Sequence, residues 1–321
     1  MLKKLYSLGT LSSFLLASIT HAAPSPPITA RSPEVDKKYI FATFHAEKEQ
    51  QPDEKTSLNI YWSDNAHDFE EYAMDVYHPE KGVVRDPSII HYLGKYYVVH
   101  TTGWHGNEIA IISSDDLKSW SPVTTINVGD FGAAWAPEFF WDPNDQSLNI
   151  IVSLQKGGHC PSLNFNIPCR PAGQFKPFIM SANAGETAKS WSEPKEIELV
   201  TNRDSHIDMF VVHKGDDQER PYHAFIKNEK SKVIEHWWSG SVAGPYNWIG
   251  VANGKWGKME GPAVTQVESD GKTKWILYAD NYHGTYFWAE SDNLYDWTEM
   301  KELGNQSKNV RHGTVLKKTE P

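Results

Sequence analysis

The sequence predicts an all-β chain folded as a five-bladed β-propeller. Three observations carry this. Helical periodicity is nearly absent along the 321 residues. Short β-branched and aromatic runs recur instead, bounded by Gly, Asn, Asp and Pro, such as Tyr96-Tyr97-Val98-Val99-His100, Leu148-Asn149-Ile150-Ile151-Val152 and Lys274-Trp275-Ile276-Leu277-Tyr278. A motif also repeats. Ser113-Ser114-Asp115-Asp116-Leu117-Lys118-Ser119-Trp120 matches Glu290-Ser291-Asp292-Asn293-Leu294-Tyr295-Asp296-Trp297, and weaker copies end at Phe69, Trp191 and Trp248.

The terminal aromatics at 69, 120, 191, 248 and 297 are separated by 51, 71, 57 and 49 residues. The long gap holds a cysteine loop. Five units of roughly this length, each with several short strands, suit a propeller, because one four-stranded blade cannot cover both its faces and must stack on its neighbours. Each terminal aromatic is expected to pack between blades. The competing reading is a β-sandwich with accidental internal similarity.

From the N-terminus, Lys3 and Lys4, the mostly apolar Leu11–Ile19 stretch and Thr20-His21-Ala22 read as a signal peptide over 1–22. A buried N-terminal helix is the alternative. Residues 23–37, opening Ala23-Pro24-Ser25-Pro26-Pro27, read as a linker, because the prolines suit neither a helix nor a central strand. The propeller is assigned to 38–318. This organisation implies a secreted or periplasmic protein with no membrane association after cleavage. Cys160 and Cys169, the only two cysteines, flank a loop-like segment and are expected to form a disulfide, with free thiols as the alternative. Two sulfurs do not complete a tetrahedral metal site.

Composition narrows the function. The formal charge is −10, and 13 Trp, 14 Tyr and 13 Phe bring the aromatic share to 12%. An acidic, Trp-rich chain lacks the Lys and Arg that nucleic-acid phosphates require. Aromatic rings suit sugars, whose C–H faces stack on them. Trp104, Trp135 and Trp141 lie in segments expected near the cavity rim.

Three acids begin blades rather than end them, each leading into an apolar strand: Asp86 before Pro87-Ser88-Ile89-Ile90, Asp208 before Met209-Phe210-Val211-Val212, and Glu260 before Gly261-Pro262-Ala263-Val264. Singly, each has a bland reading as a turn or strand-capping acid. Together, at equivalent points of three blades, they read as a convergent site, because buried charge is costly unless compensated.

With these motifs the chain resembles glycoside hydrolase family 43. The resemblance runs from about Tyr39 to Lys317 and rests on Arg85-Asp86-Pro87-Ser88-Ile89, Trp135-Ala136-Pro137-Glu138, Ile207-Asp208, Glu260-Gly261-Pro262 and Arg311-His312-Gly313-Thr314-Val315. It implies a five-bladed propeller that cleaves glycosides with inversion. Asp86 would be the general base, Glu260 the general acid, and Asp208 the acid that orients Glu260 and raises its pKa by like-charge repulsion. Met209 departs from the proline found there in many members. His312 matches a histidine near the axis, beside a calcium or a water in relatives, with an indirect metal role or a core hydrogen bond as the readings. No cofactor is required on this reading, and the resemblance allows a calcium near the axis. Arg311 would pair with a central carboxylate or hold a sugar hydroxyl, or else lie on the surface. Glu138 would bind hydroxyls or neutralise Arg85 or Arg311.

The implied substrate is an oligosaccharide or polysaccharide of the plant cell-wall type, with arabinofuranosides first, xylosides second and galactosides still open. The related fructosidases carry an Asn-Asp-Pro-Asn motif and a Glu-Cys acid motif that this chain lacks. A carbohydrate-binding propeller without catalysis has no reason to keep three mutually repelling acids. A structural scaffold explains neither the acids nor the export signal.

Overall fold

The computed structural model describes residues 37–46, 56–156, 173–183, 188–202, 204–269, 271–304 and 309–318. The expected signal peptide, nearly all of the linker, and Cys160 with Cys169 lie outside the described residues. Twenty strands form five four-stranded antiparallel sheets. Blade one holds β1 (Tyr39–Thr43), β2 (Leu58–Ser63) and β3 (Glu70–Tyr77). Blade two holds β4 (Arg85–Tyr92), β5 (Lys95–Thr101), β6 (Glu108–Ser114) and β7 (Ser121–Asn127). Blade three holds β8 (Phe131–Asp142), β9 (Ser147–Lys156), β10 (Phe175–Ser181) and β11 (Lys195–Glu196). Blade four holds β12 (His206–His213), β13 (Tyr222–Asn228), β14 (Ile234–Ser239) and β15 (Asn247–Val251). Blade five holds β16 (Glu260–Ser269), β17 (Lys272–Asp280), β18 (Tyr286–Ser291) and β19 (Lys301–Glu302). β20 (Thr314–Lys317) returns to pair with β1 and completes blade one, so the two ends of the propeller share a sheet.

The inner strands β20, β4, β8, β12 and β16 touch one another in a ring around the axis. Five apolar clusters fill the five seams between blades. The central strands β1, β5, β9 and β13 are therefore buried almost throughout, as strands covered from both sides require, while the outermost strands are mostly half-buried or exposed.

The repeated motif is a turn built from side chains. In the copies at Ser63, Ser114 and Ser291, the serine Oγ accepts the amide of the residue three positions on, at 3.1, 2.8 and 2.9 Å. The Asn or Asp two positions after the serine accepts two more amides, as Asp116 Oδ1 does from Lys118 and Ser119. Ala66, Leu117, Ala188 and Leu294 each take a positive φ at the pivot and are fully buried. The ring three residues later then folds back over the turn. Trp120 and Trp297 donate their indole N–H to the carbonyls of Leu117 and Leu294.

Blade four departs from the expected series. Trp248 is 56% exposed and packs in no seam. Its turn runs Ser241-Val242-Ala243-Gly244-Pro245, and the ring that enters the seam is Tyr246, fully buried, with its hydroxyl on the carbonyl of Val242 at 3.1 Å. Spacing alone selected the larger ring. The different turn delivers the aromatic two positions earlier.

Candidate active site

Four of the five inner strands carry the same irregularity at one end. The antiparallel register breaks between Arg85 and Ser88, between Trp135 and Glu138, between Ile207 and Phe210, and between Glu260 and Ala263. Within each bulge one residue has positive φ: Asp86 (48°), Ala136 (45°), Asp208 (58°) and Gly261 (60°). Proline follows in three of the four, at 87, 137 and 262, and Met209 in the fourth. A bulge re-aims a strand's side chains and is a common device beside functional sites. Here it turns the start of each inner strand toward the axis.

A bulge also frees amides from the ladder, and a buried free amide must find a partner. In three of the four bulges a side chain from the preceding blade meets it. Ala136 N–H donates to Thr101 Oγ1 (2.9 Å), Asp208 N–H to Ser153 Oγ (3.0 Å), and Gly261 N–H to Asp208 Oδ2 (3.1 Å). The third bond fixes Asp208 against the backbone that carries Glu260. Gly261 is required twice over, by its φ and because a Cβ there would lie 2.5 Å from His312 Cγ.

Asp86, Asp208 and Glu260 line one cavity of about 170 Å³, together with Trp104, Trp135, Arg311 and His312. That is room for on the order of ten waters. Trp135 stacks on Phe175 (4.4 Å, 29°) and donates its indole N–H to the carbonyl of Trp104 at 3.1 Å. The two tryptophans meet edge to face at 5.8 Å. The Arg85 guanidinium is sandwiched between Trp104 (4.2 Å) and Phe44 (4.7 Å). Trp141 is not at the rim. It lies at the far end of β8, 39% exposed, against Tyr92.

The carboxylates differ in charge. For Asp86, burial works against ionisation, but His312, Arg85 and the Thr101 hydroxyl outweigh it and hold the group at about 2. His312 Nδ1 lies 3.6 Å from Asp86 Oδ1, and Thr101 Oγ1 donates to Asp86 Oδ2 at 3.0 Å. Burial pushes Asp208 up to about 6 against the pull of His312 and Lys227, with Glu260 and Asp86 adding to the rise. Burial would also lower His312, but Asp86, Asp208 and Glu138 raise it to about 9, so it is a cation.

Glu260 goes the other way from the sequence expectation. Burial alone would raise it. Lys227 Nζ at 2.6 Å from Oε2 and the Arg311 guanidinium at 2.8 Å from Oε1 hold it below the ordinary carboxylate range. Asp208 is therefore the raised member of the pair, because two cations sit on Glu260.

Arg311 is buried and does pair with a central carboxylate, and also with Asp280 through Nε at 3.0 Å. Glu138 is neither on the cavity wall nor paired as expected. It is buried beneath the floor, accepting from Ser88 Oγ (2.6 Å) and Thr314 Oγ1 (2.9 and 3.0 Å), and burial lifts it to about 7. Its two hydroxyl partners come from β4 and β20, so Glu138 ties three inner strands together on the axis.

Around His312 the Glu138 carboxylate is occupied by two hydroxyl donors. Among the described residues no group of three His, Cys, Asp or Glu is arranged to hold a metal ion.

Lys227, Glu229, Asp280 and Tyr282 complete the cavity wall and were missed in the sequence. A lysine ending the apolar run Tyr222-His223-Ala224-Phe225-Ile226 was a signal of the kind that marked the three acids. Asp280 ends a strand rather than beginning one, so a search for blade-opening acids passes over it.

Residues 34–321 match the family model described as a probable glycosyl hydrolase domain, related to glycoside hydrolase family 43. None of the curated proteins matches the chain. Solved structures with a similar fold include an exo-β-1,3-galactanase from Clostridium thermocellum, with 12% identity and a TM-score of 0.51 over 70% of this chain and 49% of that one. The exo-β-1,3-galactanase of Phanerochaete chrysosporium, bound to β-1,3-galactotriose, has 11% identity and a TM-score of 0.50 over 70% of this chain and 50% of that one. A family-43 protein of Bacillus licheniformis has 20% identity and a TM-score of 0.49 over 73% and 46%. The chain thus spans about half the length of these structures. At such identities the likeness is one of fold.

Proposed function

The chain belongs to the glycosyl hydrolase domain family related to glycoside hydrolase family 43, and from that premise we propose that it is a glycosidase, an inverting exo-hydrolase of plant cell-wall-type oligosaccharides, acting on α-L-arabinofuranosides first and β-xylosides second. One observation carries the reading: Asp86, Asp208 and Glu260 reach a single cavity from three separate blades.

Asp86, held ionised by His312 and the Thr101 hydroxyl, takes a proton from water as that water's oxygen bonds to the anomeric carbon. Glu260 gives its proton to the departing oxygen as the glycosidic bond breaks. Asp208, anchored by the Gly261 amide, keeps Glu260 in position. In the free protein Glu260 is ionised between Lys227 and Arg311, so its protonation accompanies substrate entry. Trp104 and Trp135 line the cavity and give it aromatic surface of the kind that suits sugars.

The test is a panel of aryl arabinofuranoside, xyloside, galactoside and fructoside with the purified mature protein. Arabinofuranoside cleavage is expected, with β-arabinose as the first product seen by NMR from the α-arabinoside. Retained configuration would contradict the assigned roles. Glu260→Gln should cut hydrolysis of natural glycosides on the order of 100-fold or more while the protein stays folded. Activity above about a tenth of wild type would remove Glu260 from its role.

A further inference from the structure

The two cations on Glu260 are each shared with a second carboxylate. Arg311 also binds Asp280 at 3.0 Å, and Lys227 Nζ also lies 2.7 Å from Glu229 Oε1. Lys227 is 3% exposed, the Asp208 charge also acts on it, and the ring of Tyr282 lies 4.9 Å away. A buried cation left without a partner is costly. The second carboxylates remove that obstacle, because Glu260 can become neutral while both cations stay paired.

We propose that Glu229 is a positioning residue that takes Lys227 over from Glu260 when substrate enters, leaving Glu260 free to carry the proton for the leaving group. The proposal rests on the reading of Glu260 as proton donor given above. Glu260 is faced by Lys227 from β13, Asp280 and Tyr282 from the end of β17, Asp208 from β12, Asp86 from β4, and Arg311 ahead of β20. Of these, Asp280 is occupied with Arg311 and pushed up to about 6 by burial and by Glu260. Glu229 is different. Lys227 and Lys232 outweigh burial and hold it in the ionised range. Lys232 Nζ lies 2.8 Å from Glu229 Oε2 and fixes the carboxylate that receives Lys227. Lys227 needs only a small shift of Nζ, since both acids are already within contact.

The test uses phenyl and 2,4-dinitrophenyl α-L-arabinofuranosides. The first needs a proton on its leaving oxygen and the second does not. In Glu229→Gln, Lys227 keeps Glu260 and Asp208 but loses the carboxylate that would receive it. The basic limb of kcat/KM should move about one pH unit toward acid, as the removal of a competing charge predicts. The phenyl to dinitrophenyl rate ratio should fall about tenfold. In Lys227→Met the basic limb should move the opposite way, and the double variant should lie between the two. A limb that stays put in both folded single variants, or that moves the same way in both, overturns the proposal. If the wild-type protein is active but retains configuration, or if Glu260→Gln keeps its activity, the reading of Glu260 fails first. A wild-type protein inactive on arabinofuranosides, xylosides and galactosides alike overturns both.

Discussion

His312 and the His223–His236 pair are all buried, yet one is a cation and the other two are neutral. His312 sits among Asp86, Asp208 and Glu138 and is raised to about 9. His223 and His236 share a hydrogen bond at 2.9 Å in the seam between blades four and five, where burial lowers them to about 4 and 3. His236 stacks on Phe225 (4.5 Å, 14°), and Tyr295 lies across both rings at 5.4 and 5.3 Å. Asp217 is the acid acting on His223, and Lys214 and Arg220 oppose it. All three side chains are buried, but His312 borders the cavity while the pair lies within the seam. Partners decide the charge: three carboxylates make a cation at the axis, and aromatic rings keep the seam neutral.

The largest test of this contrast removes a carboxylate from His312. If Asp86 is the general base of the proposed reaction, Asp86→Asn should lower hydrolysis roughly 1,000-fold, within the range for loss of such a group. It should also bring the His312 titration, followed by histidine NMR, down toward the ordinary value. A His312 unmoved by Asp86→Asn would place the source of its charge elsewhere.

Acid stability tests the seam. The folded pKa values of His223 and His236 lie below the ordinary value near 6.5. The unfolded chain therefore binds more protons as pH falls below 6.5, and stability drops from there toward pH 4 and 3. The loss should reach on the order of 4 kcal/mol by pH 4. The variant His223→Gln with His236→Phe should flatten the fall of Tm between pH 6.5 and 4, whatever its Tm at pH 7.

Glu138 offers a somewhat smaller test with the opposite slope. Its folded pKa is raised to about 7. The folded protein keeps this proton while the unfolded chain loses it near pH 4.5, so stability falls as pH rises from 4.5 through 7. The effect is about 3 kcal/mol. Glu138→Gln should remove that decline in a comparison of urea midpoints at pH 5 and pH 8. An unchanged slope would mean the Ser88 and Thr314 hydroxyls hold Glu138 ionised.

The same contrast marks what the sequence could reveal. Strand alternation, the Ser-x-Asn/Asp turn and the three blade-opening acids are local patterns, and each could be read along the chain. The positions where that reading went astray depend on contacts across blades. Trp248 stood for Tyr246 because the turn at Gly244-Pro245 differs from its four relatives. Glu138 was set on the cavity wall because nothing nearby in sequence announces Ser88 or Thr314, 50 and 176 residues away. The charge of Glu260 depends on Lys227, 33 residues upstream in another blade. A single-sequence pattern gives the type of an element and the chemistry of a side chain. It does not give the partner that sets a buried group's charge.

β20 has a consequence for the newly made chain. Ribosomal synthesis supplies Asp86, Glu138, Asp208, Glu260 and Asp280 before it supplies Arg311, His312 and Thr314. Until that last stretch emerges, the half-assembled ring holds a knot of acids without two of the cations that neutralise it, and blade one lacks its innermost strand. Repulsion at the hub should keep the nascent ring loose until its final strand arrives. Shutting the circle and completing the charge balance of the cavity are then a single event.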